Sequence, residues 1–510
     1  MSSSSGKAVV MSNIVKVYPD GTVALRGVNF ELSKGEIHGL LGENGAGKTT
    51  LMKILSGLLK PTKGEIFVKG SKVVLKSASH ALSLGIGMVH QHLSLVPVFT
   101  GYENIVLGIK GVKPSRKDVE ELMRKVGLEA PLDVAVEDLP LGVRQRIEIL
   151  KMLVRNVDVL ILDEPTTNLT PIETRELFKS LRVLKEYGKT IVFITHKLRE
   201  AMEVTDRITV LRRGKVVGTV KTSETNPVEL AKMMVGREVV FSIEKTPKEP
   251  QGDALKVEDL WVMSDLGTQA VKGVSFNVRF GEIFGIAGVE GNGQTELVEA
   301  IAGLRNVVRG RIYLDNVDIT YKHTKDRYSL GLAYIPEDRV KTALAMDMSV
   351  VENSILSLQW NSAFVSKLLS IKWSEARKHA DRIVKKFDIL VKSLDSPVKS
   401  LSGGNQQKLV VGRELSKEPK VVVAAQPTRG LDVGATEYIR KLLIQLRDAG
   451  KAVLLVSSDL DEVLTLSDRV AVMYEGKIMG VVDPSRVSEE VIGMMMGGYT
   501  LDQVRGLGGV

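Results

Sequence analysis

The chain has 510 residues, a formal net charge of +9, 26% charged residues and no cysteine. That length exceeds what one hydrophobic core organises and calls for two or more domains, while the missing thiols exclude disulfides and allow a reducing, cytoplasmic setting. No apolar run reaches the roughly 18 to 20 residues needed to cross a bilayer, and residues 1–7 lack the apolar core of a signal peptide, so a protein soluble by itself is expected; its basic charge suits an anionic membrane surface, nucleic acid or simply a solvated lysine-rich exterior.

In chain order, Gly39-Leu40-Leu41 ends an expected strand, residues 42–47 form a loop, and Thr49-Thr50-Leu51-Met52-Lys53-Ile54-Leu55 opens a helix. The loop and its exit read Gly42-Glu43-Asn44-Gly45-Ala46-Gly47-Lys48-Thr49, a complete phosphate-binding motif. Glycines let backbone N–H groups wrap phosphates, the helix N-terminus adds positive potential, Lys48 reaches the outer phosphates and Thr49 can ligate magnesium. Tyr18, about 30 residues before Lys48, is placed to stack on a nucleobase. Gln91 lies in Val89-His90-Gln91-His92. With no cysteine or acidic partner at ligand spacing, His90 and His92 are read as structural rather than as metal ligands.

The apolar run Val159-Leu160-Ile161-Leu162 ends in Asp163-Glu164. A strand that delivers two carboxylates after a phosphate loop places Asp163 to hold magnesium and Glu164 to polarise an attacking water. A helix is expected over 172–185, then the strand Thr190-Ile191-Val192-Phe193-Ile194, after which His196 stands where a sensor of the terminal phosphate belongs. Short β-branched runs alternating with helices predict buried parallel strands and hence an α/β layered domain. The charged, proline-bearing stretch 244–252 has no apolar periodicity and is expected to be a linker.

Beyond it the sequence repeats. Gly42 pairs with Gly288 (288 − 42 = 246) and Gln91 with Glu337 at the same offset, whereas Leu139 pairs with Leu401 (401 − 139 = 262), as do Asp163 with Ala425 and Asp206-Arg207 with Asp468-Arg469. The additional length of the second copy falls around 340–400, where Leu356-Ser357-Leu358-Gln359-Trp360 and residues 364–369 are expected to be helical. The two copies are damaged crosswise. The second phosphate loop, Gly288-Val289-Glu290-Gly291-Asn292-Gly293-Gln294-Thr295, has lost its lysine; the first copy reads Leu139-Pro140-Leu141-Gly142-Val143 where the second keeps Leu401-Ser402-Gly403-Gly404-Asn405.

This ordered set, from phosphate loop through Gln91, the Leu-Ser-Gly-Gly signature and the acidic strand to His196, resembles the nucleotide-binding domains of ABC transporters over nearly the whole chain. The resemblance implies tandem P-loop NTPase domains, each with a RecA-like core, an antiparallel β subdomain and a helical subdomain: a first domain over 7–243 and a second over 253–500. It implies ATP and Mg2+ as cofactors and a head-to-tail pairing of the two copies. One site then joins Tyr18, Gly42, Asn44, Gly45, Ala46, Gly47, Lys48, Thr49, Thr50, Gln91, Asp163, Glu164 and His196 to Ser402, Gly403, Gly404 and Asn405, with Thr49, Gln91 and Asp163 at the metal and Asp432 bordering it. The other has Gln294, Glu337, Ala425, Gln426 and Ser458 against a signature holding Pro140 and Leu141, and no hydrolysis is expected there. Thr170 stands where the family usually has aspartate.

Two such domains in one chain further resemble the ATPase subunits of importers for simple sugars and nucleosides. That implies transmembrane permease subunits as partners, met through 93–102 and the longer second-copy region, an extracellular solute-binding protein acting indirectly, a peripheral position on the cytoplasmic face of the cell membrane, and no nucleic acid. The alternative is a soluble tandem ATPase acting in translation, disfavoured by the unequal sites and the lack of a long charged helical linker.

Overall fold

The computed structural model describes residues 6–43, 45–91, 93–109, 111–167, 169–236, 245, 249–366, 368 and 370–506. Its contacts separate two compact units, Met1–Phe241 and Ser242–Val510. Each has the same internal plan.

In the first unit the strands are β1 (Lys7–Val17), β2 (Val23–Ser33), β3 (Ile37–Leu41), β4 (Lys63–Val68), β5 (Ser71–Val73), β6 (Ile86–Val89), β7 (Val159–Asp163), β8 (Thr190–Thr195), β9 (Arg207–Arg212) and β10 (Lys215–Lys221). An antiparallel sheet runs in the order β2-β1-β4-β5, and a six-stranded sheet in the order β10-β9-β3-β8-β7-β6. The latter is parallel except for β10, which turns back on β9. Every residue of β3, β7 and β8 is buried, as expected of parallel strands covered on both faces and therefore apolar without alternation. The helix Pro171–Glu186 covers part of that sheet through Leu177, Phe178, Leu181 and Leu184.

The intervening chain forms a helical layer. Arg116–Val126 starts with a reciprocal Ser115–Asp118 cap and stops at Gly127, whose φ of 66° suits a residue without Cβ. Its buried Val119, Met123 and Val126 recur at helical spacing and join Ile147 and Leu150 of Leu141–Leu153 in one core.

The second unit contains β11 (Gln251–Met263), β12 (Gln269–Phe280), β13 (Ile283–Ala287), β14 (Val307–Leu314), β15 (Val317–Asp318), β16 (Leu332–Ile335), β17 (Val421–Ala425), β18 (Ala452–Ser457), β19 (Arg469–Tyr474) and β20 (Lys477–Val482). Its sheets run β12-β11-β14-β15 and β16-β17-β18-β13-β19-β20, strand for strand the topology of the first unit. The RecA-like parallel core, antiparallel sheet and helical layer expected for tandem P-loop domains are all present.

Two expectations need adjustment. Residues 356–360 and 364–369 are not helical where described: the short helix Val350–Ser354 ends in turns, Ser357 adopts φ 61°, and Val365 bridges Ile371 in an isolated antiparallel contact. A left-handed residue cannot continue a right-handed helix, and the apolar spacing reflects packing of Ile355 and Phe364 onto Ala376 and Ala380 instead. The regular helix follows at Trp373–Lys386 and has 14 residues against 11 in its first-unit counterpart. Of the stretch 244–252, only Lys245 and residues 249–252 are described, and Gln251 and Gly252 already belong to β11. Among the described residues no helix is long and apolar enough to cross a membrane.

Candidate functional site

The phosphate loop leaves β3 and enters the helix Lys48–Leu55. Gly45 and Gly47 have φ of 81° and 106°, and a Cβ on Gly47 would come within 2.7 Å of Leu25 and 2.9 Å of the Ala24 carbonyl. Only glycine meets both demands. Lys48 is buried, and its ammonium donates to the Gly42 carbonyl at 2.7 Å and the Glu43 carbonyl at 3.2 Å. Burial pulls its pKa below the ordinary lysine value against the opposing charges of Glu164, Asp163 and Glu43. Ala46 is buried beneath the loop, and Thr50 Oγ1 lies 3.1 Å from the Tyr18 hydroxyl, which ties the expected base-stacking ring to the helix start. Asn44 and His92 lie outside the described residues.

Asp163 closes β7 and Glu164 follows with φ 50°, a left-handed turn that swings its carboxylate away from the strand direction. The fold brings the separated candidates to that carboxylate: Gln91 Nε2 donates to Glu164 Oε2 at 3.0 Å, and His196 Nδ1 lies 3.0 Å from Glu164 Oε1. Burial alone would raise the Glu164 pKa. The His196 hydrogen bond and charge, with Lys48 and Lys197, outweigh it and hold the group below the ordinary glutamate value. Asp163 goes the other way, raised by burial and by the neighbouring Glu164 charge, with partial relief from the Thr49 hydroxyl, Lys48 and His90. The two adjacent carboxyls are thus pushed in opposite directions, Asp163 up and Glu164 down.

Among the described residues no group of three or more His, Asp and Glu is arranged as a metal cage. The Thr49 hydroxyl, which helps to lower the Asp163 pKa, and the Asp163 carboxylate fit Mg2+ instead: hard oxygen donors, few in number, leaving positions for water and phosphate oxygens.

The second copy keeps the frame and changes the chemistry. Gly291 and Gly293 have φ of 88° and 97°, but Gln294 is folded into its own loop, donating to the Val289 carbonyl at 3.0 Å and accepting from Asn292 N at 3.1 Å. Gln426 has φ 46°, and its carbonyl oxygen accepts from Ser458 N at 3.1 Å and Ser458 Oγ at 3.2 Å. Arg429 pairs with Glu337 and, at 3.0 Å, with Glu290 of the loop, beside a cavity of about 140 Å³ lined in part by Gln294, Thr295, Glu337, Ala425 and Gln426. Sequence reasoning passed over this Arg429–Glu290–Glu337 cluster. The signal was an arginine at the place of Thr167 in the first copy.

Ser402 caps the helix Gly403–Leu415, and its Oγ accepts from Asn405 N at 3.4 Å and Asn405 Nδ2 at 2.9 Å. The amide oxygen of Asn405 in turn accepts from Leu390 N at 2.9 Å. Gly403 and Gly404 therefore stand at the positive end of a 13-residue helix. A Cβ on Gly404 would lie 3.1 Å from Ala435. At the corresponding place in the first copy Pro140 precedes Leu141–Leu153 with no side-chain cap. Asp432 caps Val433–Asp448 through Ala435 N, and Thr170 caps Pro171–Glu186 reciprocally with Glu173. The hydroxyl supplies the acceptor that aspartate would, which is the local reason threonine is tolerated there.

Comparison with known proteins agrees with this architecture. The ABC transporter family profile matches residues 25–167 and 271–429. The chain is 46% identical over 502 residues to the nucleoside import ATP-binding protein NupA of Lactococcus lactis subsp. cremoris, covering 97% of this chain and 99% of that protein. It is 45% identical over 499 residues to the guanosine import ATP-binding protein NupO of Bacillus subtilis, covering 96% and 98%, and 42% identical to the glucose import ATP-binding protein TsgD13 of Haloferax volcanii, covering 98% of each. Among solved structures, an archaeal ribosome recycling factor in complex with a ribosomal stalk protein aligns with TM-score 0.61 over 92% of this chain and 90% of its own, but at 21% identity, a likeness of fold alone. With the motifs, the topology and near full-length relatives in agreement, the chain belongs to the ABC transporter family as an ATP-binding subunit with two nucleotide-binding domains, and it is an ATPase.

Proposed function

We propose that this ATPase energises an importer of nucleosides, with a simple sugar as the alternative solute, and that a single site performs the hydrolysis. The observation that carries the single site is the contrast between Glu164, an ionised carboxylate gripped by Gln91 and His196, and Gln426, a carboxamide gripped by Ser458. A carboxylate can take a proton from water and a carboxamide cannot.

In this reading residues 42–50, Asn44 included, cradle the phosphates of ATP, Tyr18 receives the adenine, and Ser402, Gly403, Gly404 and Asn405 of the other copy complete the site. Thr49, Asp163 and Gln91 hold Mg2+, which when bound neutralises phosphate charge and orients the phosphates. Glu164 orients and deprotonates the attacking water, Lys48 meets the outer phosphate oxygens, and His196 both steadies Glu164 and approaches the terminal phosphate. Positioning and charge neutralisation supply most of the catalysis in such a transfer.

The partners proposed are separate transmembrane permease subunits, met through 93–102 and the longer second-copy region, and an extracellular solute-binding protein acting through them; the chain then sits peripherally on the cytoplasmic face. The names of the nucleoside and guanosine relatives support the solute class, and a role in translation has only a likeness of fold behind it. The test is reconstitution with the permease subunits that co-purify with this chain. Turnover should rise severalfold with solute-binding protein loaded with nucleoside and not with sugar. Stimulation by sugar alone would move the assignment to the second solute, and co-purification with ribosomes in place of a permease would overturn it.

A further inference from the structure

The carboxylate of Glu200 joins the two segments that carry Glu164 and His196. One oxygen, Oε2, accepts from Thr166 Oγ1 at 2.5 Å and from Thr195 Oγ1 at 3.4 Å; the other, Oε1, lies 3.0 Å from Lys197 Nζ. Thr166 follows Glu164 by two residues, and Thr195 and Lys197 flank His196 on either side. Thr195 Oγ1 also accepts from Lys197 N at 3.0 Å, which fixes the bend in which His196 sits. The Glu164 backbone meets the strand that leads to His196 through its N–H, which donates to the Ile194 carbonyl at 3.0 Å.

We propose that Glu200 is a positioning residue for hydrolysis: by tying Thr166 to Thr195 and Lys197, it sets the distance and aim between the Glu164 carboxylate and the His196 ring. The physical need is specific. Glu164 holds a left-handed backbone conformation that is strained for a residue other than glycine and persists only when its surroundings over-determine it. A nearly buried carboxylate with three donors on it is such a surrounding, since charge-assisted hydrogen bonds are short and strong. Glu200 touches neither the reacting water nor a phosphate in this reading, and its effect passes through the two residues it aligns.

The repeat provides the control. Glu462 occupies the same place in the second copy, fully buried, its Oε1 accepting from Arg440 Nε at 3.4 Å and its Oε2 without a hydrogen-bond partner among the described residues, while Ser457 and Thr428 stand at the counterparts of Thr195 and Thr166. It follows Ser458 by four residues, and in this reading neither Ser458 nor Gln426 performs chemistry. A buried carboxylate that serves folding alone matters in both copies; one that serves the reaction changes the rate only in the first.

The inference rests on Glu164 and His196 serving the hydrolytic site, and one variant tests that separately. In the full chain assembled with its permease, Glu200→Ala should lower kcat for ATP about 10- to 100-fold, the usual scale for losing an outer-shell partner, with KM within about twofold. Glu200→Gln, which keeps an acceptor for Thr166, should recover most of the rate. Glu462→Ala should lower the unfolding temperature at least as much as Glu200→Ala while leaving kcat within about twofold of the parent. If Glu200→Ala does not fold, Thr166→Val removes the same bond from its other end and must show the same selective loss of kcat. Equal losses of kcat in the Glu200 and Glu462 variants, a parental kcat in Glu200→Ala or in Thr166→Val, or no rescue by glutamine overturns the proposal. A Glu164→Gln variant that still turns over at the parental rate overturns the site itself; an inactive Glu164→Gln beside an unaffected Glu200→Ala overturns only the role of Glu200.

Discussion

Glu164 and Gln426 occupy the same place in the two copies, each the residue after a fully buried strand, each in a left-handed conformation, φ 50° and 46°, and each donating its backbone N–H to the facing strand, at Ile194 and Val456. The backbone has been kept and the side-chain chemistry exchanged. Gln91 and His196 hold the first as an ionised acceptor, whereas Ser458 donates to the amide oxygen of the second.

Glu164→Gln should therefore cut ATP turnover at least about 10²-fold, the scale for losing a positioned acid–base group, while Gln426→Ala changes it by less than about twofold. Steady-state phosphate release from the assembled transporter reads both. Similar losses in the two variants would refute a single working site.

Ser402→Arg should abolish turnover without preventing nucleotide binding at Lys48, because the bulk and charge fall on the exposed cap of Gly403–Leu415 rather than in the phosphate loop. Binding of a fluorescent ATP analogue, measured beside phosphate release, separates the two effects. Retention of full turnover would show that the signature helix does not contribute to the site.

Gln294→Lys restores a cation to the second phosphate loop but should add no hydrolysis. Ala425 offers no metal ligand, Gln426 no base, and Glu337 is already paired with Arg429. The double variant Gln294→Lys with Glu164→Gln should remain as slow as Glu164→Gln alone, even where nucleotide occupancy rises, since the parts of a phosphoryl-transfer site act together. Turnover near the parental level in that variant would contradict the assignment.

Acid stability should report the Glu164 contacts. Burial raises this carboxyl, but His196, Lys48 and Lys197 prevail and hold it below 4.5 in the folded protein. A carboxyl with a lowered folded pKa contributes stability that is complete above its unfolded value and lost as pH falls through the folded one. Glutamine does not titrate, so the stability of the parent relative to Glu164→Gln should decline as pH is lowered from about 6 to below about 4.5. Calorimetric Tm values of the nucleotide-free proteins test the sign; a difference that is constant or grows on acidification rules it out.

The motifs that announce ATP chemistry were legible in the sequence because they are local. A glycine loop running into a helix, or an apolar strand ending in Asp163-Glu164, owes its identity to residues within one turn or one strand of each other, and the repeat offsets aligned the two copies without coordinates. Residues 356–360 and 364–369 read as helical because apolar spacing does not separate a helix from turns packed on one, and the left-handed Ser357 left no mark in composition. Tertiary structure alone decided what meets Glu164. Gln91 and His196 come from segments 73 and 32 residues away, and Glu200 reaches Thr166 across 34. It also closed the second loop with Arg429, Glu290 and Glu337, a cluster drawn from three separate segments. Hydrophobic period and backbone preference act along the chain and can be read there. The distance between two charged groups is set by how strands stack in a sheet, and that order, β3 between β8 and β9 with β7 beyond, exists only in the folded protein.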